Sequence, residues 1–221
     1  IPISNKGNGL IGFGRKPKNN QILNIIYPNG EEEKIIFKIK ERTYKIQRID
    51  GLEQKKVEPS QELLDRIYEE RVRVKKSRIE ANLVNIPFYL NGLIMPAKGP
   101  ITGIYGSQRI LNGIAKNPHY GLDIALPEGH SVLAPMDGIV VFSDKNLFYS
   151  GGTIIISHGQ GLTSSYLHLS KILVEKNQKI NKGDLIGEVG STGRATGPHL
   201  HWGIEWMGKR IDPEYVVKLL D

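Results

Sequence analysis

Residues 199–206, HLHWGIEW, alternate a polar or small side chain with a large apolar one. That period of two admits a strand with one face in a core and fits no helix. Leu200, Trp202, Ile204 and Trp206 fall on the core face, and His199, His201, Gly203 and Glu205 on the other. The Cα atoms of the two histidines then lie roughly 6.5–7 Å apart, so both imidazoles reach one small volume above a sheet. Pleating alone does not put both on one ion, and two exposed histidines on a solvated face satisfy the same pattern.

The rest of the chain carries the β pattern further. Short apolar runs at 139–142, 152–157, 164–169, 184–189 and 199–206 are punctuated by glycines, which predicts a compact antiparallel β domain over 99–221. Upstream, strand-like runs at 22–27 and 34–40 flank Asn29-Gly30, a strong hairpin signal, and a third run at 43–49 extends them into a small β unit over 1–57. Ser60 then stands as the N-cap of a helix to about residue 80, with Leu63, Leu64, Ile67 and Tyr68 at helical spacing and Glu62–Arg66 and Glu69–Arg73 as i,i+4 pairs. With a Pro- and Gly-broken connector at 85–100, this forms a helical linker over 58–98. Asp212 and Pro213 open a short closing helix. The expected fold class is mainly β: an antiparallel sheet domain preceded by a small β unit and a helix.

Charge divides along the same line. Residues 1–98 hold 19 Lys/Arg against 12 Asp/Glu, whereas 99–221 hold 11 of each and all six histidines. A basic part that meets an anionic surface and a neutral part that holds the chemistry are therefore expected. Acids interspersed among the bases of RIYEERVRVKKSRIE favour a solvated helix face over nucleic-acid binding. Zero cysteines exclude disulfides and thiolate–metal sites. No apolar run reaches membrane-spanning length, and a chain opening at Ile1 suits a processed protein.

Other histidines join the pair at 199 and 201. His119 and Asp123 stand four apart in HYGLD. An extended strand would hold their Cα atoms roughly 13 Å apart, too far to share an ion, so a bend at Tyr120-Gly121 has to fold His119 back. In SSYLHLS, alternation puts Tyr166, His168 and Ser170 on one strand face and Leu167 and Leu169 in the core. His158 at a strand end reads as structural, and His130 after a turn as solvent-exposed. The glycines of GNGLIGFG and GSTGRATG lack the context of a phosphate loop and read as turns.

Taken together, His119-x-x-x-Asp123, His168 after Tyr166-Leu167, and His199-Leu200-His201 after TGPH resemble the LytM/lysostaphin-type zinc endopeptidases, which cut the peptides of bacterial cell-wall murein. The stretches APMDGIVV, GGTIII and NKGDLIGEVGSTG resemble that domain's strands and turns, from about residue 100 to 206. The resemblance implies one zinc ion held by His119, Asp123 and His201, with a fourth position open. A set of two histidines and one carboxylate suits catalytic zinc. His168 and His199 would be catalytic without ligating, taking a proton from the attacking water and hydrogen-bonding the developing oxyanion. Arg194 or Thr196, in the wall over 190–198, would contact substrate.

Members that cut glycine bridges carry an aromatic- and glycine-rich loop before the first zinc histidine. Here that stretch is SQRILNGIAKNP, which makes a D-alanyl–diaminopimelate cross-link the expected substrate, by family analogy. Such an enzyme works in the periplasm or cell envelope, its signal sequence removed on export, with the basic N-terminal part against an anionic envelope surface. Two other readings compete. A non-catalytic LytM-type domain that binds and activates a cell-wall amidase has typically lost zinc ligands, and every one is present here. A biotinyl- or lipoyl-type carrier needs a modifiable lysine at a hairpin tip, which is missing.

Overall fold

A computed structural model describes residues 1–220. The Asn29-Gly30 signal makes the hairpin that its residues favour: β1 (Asn20–Ile26) and β2 (Glu32–Lys38) pair from Asn20↔Lys38 to Ile26↔Glu32. Gly30 supplies the left-handed φ of +86° that the turn requires. The third run does not extend this unit. Instead β3 (Ile46–Ile49) lies parallel to residues 108–111, far along the chain. Hairpin signals are local, and a parallel pairing needs a long crossover that such signals do not encode.

After the single turn α1 (Gln54–Val57) comes α2 (Gln61–Ala81), 21 residues long. Ser60 is its N-cap in extended conformation, although its side chain makes no capping bond. The helix docks through its charges as well as its apolar side. Arg66 pairs with Glu70 rather than Glu62, and Arg73 reaches Asp144 at 2.6 Å rather than Glu69. Glu70 is buried and accepts the backbone N–H of Phe148 at 2.8 Å. Arg78 pairs with Glu205. The expected solvated face is thus in part a docking face, since buried or half-buried acids across the contact neutralise it.

The second unit contains β4 (Ile101–Gly103), β5 (Gln108–Leu111), β6 (Ile114–Ala115), β7 (Leu122–Ala125), β8 (Ser131–Leu133), β9 (Gly138–Leu147), β10 (Gly151–Gly159), β11 (Leu162–Leu169), β12 (Lys171–Ile172), β13 (Lys179–Ile180), β14 (Leu185–Glu188), β15 (His199–Trp206) and β16 (Lys209–Ile211). Its main sheet is antiparallel in the order β13-β9-β10-β11-β15-β7-β4, with β16 along β15. A small sheet, β12-β14-β8, packs on one face, while β5 joins β3 and β6 in a third. The closing helix α3 (Pro213–Leu220) starts as its sequence demands, with Asp212 Oδ1 accepting the Glu214 N–H at 3.0 Å.

Alternation decides what each face of the main sheet meets. Ile154, Ile156, Leu200, Trp202 and Ile204 point into the principal core with Val132 and Ile186 of the small sheet. On the opposite face, Val141, Phe142, Leu147 and Ile155 pack under Val74 and Ala81 of α2. That helix covers the β9–β10 part of the face. The remainder, over β11, β15 and β7, carries the histidines.

His158 is fully buried on β10. Its Nδ1 donates to the Asp137 carbonyl at 2.7 Å, and its Nε2 accepts from the Ser164 hydroxyl at 2.7 Å. Burial lowers its pKa to about 4, against a weaker opposing pull from Asp137. The unfolded imidazole takes up a proton as pH falls through about 6.5, while the folded one resists until about 4. Stability is therefore intact above pH 6.5 and falls by up to about 3 kcal/mol on acidification to pH 4. His158→Asn should show a shallower loss than the parent between pH 7 and 4.5 in urea unfolding; identical losses in the two proteins would reject the assignment.

Candidate metal centre

The alternation of HLHWGIEW is realised: Leu200, Trp202, Ile204 and Trp206 are buried, and His199 and His201 face the other side. β7 runs antiparallel beside β15 with His201 opposite Asp123 and Trp202 opposite Leu122. Leu122 and Ile124 anchor β7 in the core, so Asp123 must point out beside His201. His119 arrives from the bend before β7, its backbone tied to Gly106 and Ser107 by bonds of 2.7 and 2.8 Å.

Among the described residues, His119, Asp123 and His201 form a group of side chains close enough to share a metal ion. His119 Nε2 lies 3.0 Å from Asp123 Oδ1 and 2.9 Å from His201 Nδ1, and His201 Nδ1 lies 2.8 Å from Asp123 Oδ1. Tetrahedral zinc with bonds of about 2.0–2.1 Å separates its ligand atoms by about 3.3 Å. The donor set fits after outward shifts of a few tenths of an ångström. His119 Nδ1 donates to the Ile104 carbonyl at 3.1 Å, which fixes the tautomer with a lone pair on Nε2. Burial would raise the pKa of Asp123, but the contacts of its carboxylate with His119 and His201 hold it well below the usual carboxylate range. Burial lowers His201 to about 4 despite the neighbouring Asp123, so its ring is neutral and able to ligate at pH 7.

Two features that hold this geometry were invisible in the sequence. Arg109 of β5 pairs with Asp123 Oδ2, leaving Oδ1 to face the histidines. Gln47 Oε1 of β3 in turn accepts from Arg109 Nε at 3.3 Å. Gly103 is the second: a Cβ there would sit 2.3 Å from Asp123 Oδ2. Gly121 was expected for its freedom to bend, yet the structure needs it for space. A Cβ at Gly121 would stand 2.5 Å from the Trp202 carbonyl and 2.7 Å from His201 Nε2.

The strand reading of SSYLHLS is corrected. Tyr166 is fully buried in the core, and Leu167 faces the groove. His168 reaches the site because the alternation breaks there. Between the pairs Gly152↔Leu169 and Ile154↔Tyr166, Leu167 and His168 together oppose Thr153, a bulge in which His168 adopts a φ of +66°. The turn away from regular strand geometry points the ring at the candidate ligand group. Its centroid lies 4.8 Å from that of His199 and 6.3 Å from that of His201. His168 Nδ1 donates to the Thr192 carbonyl and His199 Nδ1 to that of Gly197, each at 2.8 Å. These bonds turn both Nε2 atoms towards the site, and that of His199 is 3.9 Å from Asp123 Oδ1. Burial, then the nearby His199 and His201, lowers the pKa of His168 to about 3, which leaves it neutral. His130 is exposed and His158 lies in the core, both apart from the site.

The histidines open on a groove of about 1550 Å³, lined by His119, His168 and His201 and walled partly by residues 11–17 and α2. A smaller cavity of about 270 Å³ lies on the side of Asp123 and His199.

Residues 117–213 match the family model of peptidase family M23. The peptidoglycan DD-endopeptidase ShyA of Vibrio cholerae is 46% identical over 95 residues, which are 43% of this chain and 22% of that protein. A crystal structure of a peptidase M23 from Pseudomonas aeruginosa, 30% identical, covers 90% of this chain and 73% of its own with a TM-score of 0.69. A zinc-containing peptidase from Vibrio cholerae, 34% identical with a TM-score of 0.51, covers 56% of this chain and 38% of its own. The chain thus matches about a fifth of the length of the curated relatives.

Because Gly121 leaves room for the His201 ring, Gly121→Ala should weaken zinc binding at least tenfold in a chelator competition assay, through displacement of one ligand. Unchanged affinity would show that the close approach does not set the donor geometry.

Proposed function

Since this chain belongs to peptidase family M23, we propose that it is a zinc endopeptidase hydrolysing peptide cross-links of bacterial peptidoglycan, at D-alanyl–diaminopimelate bonds. One observation carries the reading. Three donor atoms from two segments of the chain converge within 3.0 Å of one another, with two further imidazoles beside them whose Nδ1 atoms are held by backbone carbonyls.

His119 Nε2, Asp123 Oδ1 and His201 Nδ1 would hold the zinc. When bound, zinc supplies a Lewis acid that acidifies water and polarises the scissile carbonyl. His199 is the better placed base, half-buried near Asp123, with its ring oriented by the Gly197 carbonyl. Its Nε2 takes the proton of the attacking water and returns it to the leaving amine. His168 rests neutral because burial disfavours its charge. An oxyanion forming beside it would reverse that preference: the ring takes up a proton from solvent at Nε2, donates it as a hydrogen bond to the new negative charge, and releases it when that charge collapses. The Thr192 carbonyl keeps the ring in register for this exchange.

The D-alanyl–diaminopimelate assignment draws support from the relative named a DD-endopeptidase and from the basic groove. Work in the periplasm or cell envelope follows from that substrate, with the basic N-terminal part towards an anionic surface. The amidase-activator reading would not require a complete donor set, and here the set is complete.

His201→Ala should lose zinc, whereas His199→Ala should retain it and lose turnover by about 10²–10⁴-fold. Metal content, together with mass spectrometry of fragments released from purified sacculi with and without chelator, checks both. Equal zinc loss in the two variants would reject the division of roles, and fragment release unaffected by chelator would reject the metallopeptidase.

A further inference from the structure

The groove is one-sided in charge. Arg15, Arg71, Arg109, Lys116 and Arg194 line it among other basic residues, and among the described residues no Asp or Glu does. Asp123 is the one carboxylate lining the smaller cavity, and Arg109 is already committed to it. Arg194 is different. It lines both cavities and has no carboxylate partner among the described residues.

Its position is nevertheless fixed. The Arg194 N–H donates to the Tyr149 carbonyl at 2.8 Å, and the guanidinium lies 4.4 Å from the Tyr149 ring centroid. Nη1 donates to the Lys56 carbonyl at 3.4 Å. The loop before it packs closely on the neighbouring turn: a Cβ on Gly193, which has a φ of +74°, would meet the Gly151 N and Tyr149 O at 2.5 Å. Burial disfavours the guanidinium's charge most; Tyr149 favours it next, and the positive charges of Arg109 and Arg71 add to the disfavour. An arginine does not shed its proton under such pressure, so the remedy is an anion. A preorganised fork with free N–H donors fits a carboxylate in particular.

Resting on the peptidase reading above, we propose that Arg194 binds a free carboxylate of the substrate, the one on the diaminopimelyl carbon that bears the scissile nitrogen. In a D-alanyl–diaminopimelate link that carbon carries both the amide nitrogen and a carboxylate. Gripping it would place the leaving group beside His199 and select cross-links whose carboxylate is not amidated. Arg194 is then a specificity residue, and the base-rich groove supplies the longer-range attraction.

The test is calorimetric and needs no turnover. Zinc-loaded protein silenced by His199→Ala is titrated with a D-alanyl–diaminopimelate-linked peptide dimer, either with that carboxylate free, with it amidated, or amidated at the peptide's terminal carboxylate instead. The first amidation should weaken binding about tenfold or more and the terminal one little. Adding Arg194→Gln should remove the difference, and Arg194→Lys should restore only part, because it keeps charge without the planar fork. Equal binding of all three dimers, loss only on terminal amidation, a preference that survives Arg194→Gln, or no binding would each overturn the proposal. If Arg194→Gln fails to fold, the three dimers on the Arg194 protein and the Lys variant still decide. Chelator-sensitive release of fragments from sacculi by the wild-type protein stands or falls separately.

Discussion

The register of β7 against β15 is the constraint on which the site depends. Asp123 faces His201 only while Leu122 and Trp202 are both in the core, and those side chains are fully buried or nearly so. A slip of one residue would expose two large apolar groups and bury a carboxylate and an imidazole, which no local adjustment offsets. Hydrophobic burial thereby fixes a polar site that could not organise itself. The same pairing leaves the Asp123 oxygens unequal. Arg109 takes Oδ2, with Gln47 behind it, and only Oδ1 faces the histidines. A single-oxygen ligand whose charge is offset by an arginine leaves more of a dication's pull for whatever occupies the fourth position.

The sequence exposes this architecture unevenly, for physical reasons. HLHWGIEW is legible because one strand carries both its core anchors and its polar face, so the signal is complete within eight residues. HYGLD is legible as a pair needing a bend, but the reason for Gly121 is not. Its hydrogen keeps clear of a carbonyl and a ring eighty residues away, and no local pattern reports that. SSYLHLS is misleading because alternation is a regular-strand rule, and His168 reaches the site by breaking it in a bulge. Arg109 and Gln47 leave no local trace, since their roles exist only once β3 has crossed to lie parallel to β5.

The N-terminal part is better understood through the sheet than as a unit beside it. α2 occupies the half of the polar face that lacks histidines; its Arg73 and Arg78 are matched by Asp144 and Glu205 of the sheet, and its own Glu70 accepts the Phe148 N–H there. Residues 11–17 then lie along the groove wall, where Gly12 fits against Ile211 and Trp206. Upstream segments therefore shape the groove that the clustered histidines face.

That placement changes the meaning of the charge asymmetry. A net positive charge in residues 1–98 suggests a separate surface for anions, yet Arg15, Lys16 and Arg71 from that part line the same groove as His119 and His168. Positive charges that are crowded together repel one another, and folding brings these closer without a neutralising acid among the lining residues. Such an arrangement costs stability and persists where a ligand supplies the missing negative charge. An extended peptide carrying several carboxylates would meet that field along its whole length, so under the proposed function the basic part would contribute to the same act of recognition as the candidate metal centre, at longer range.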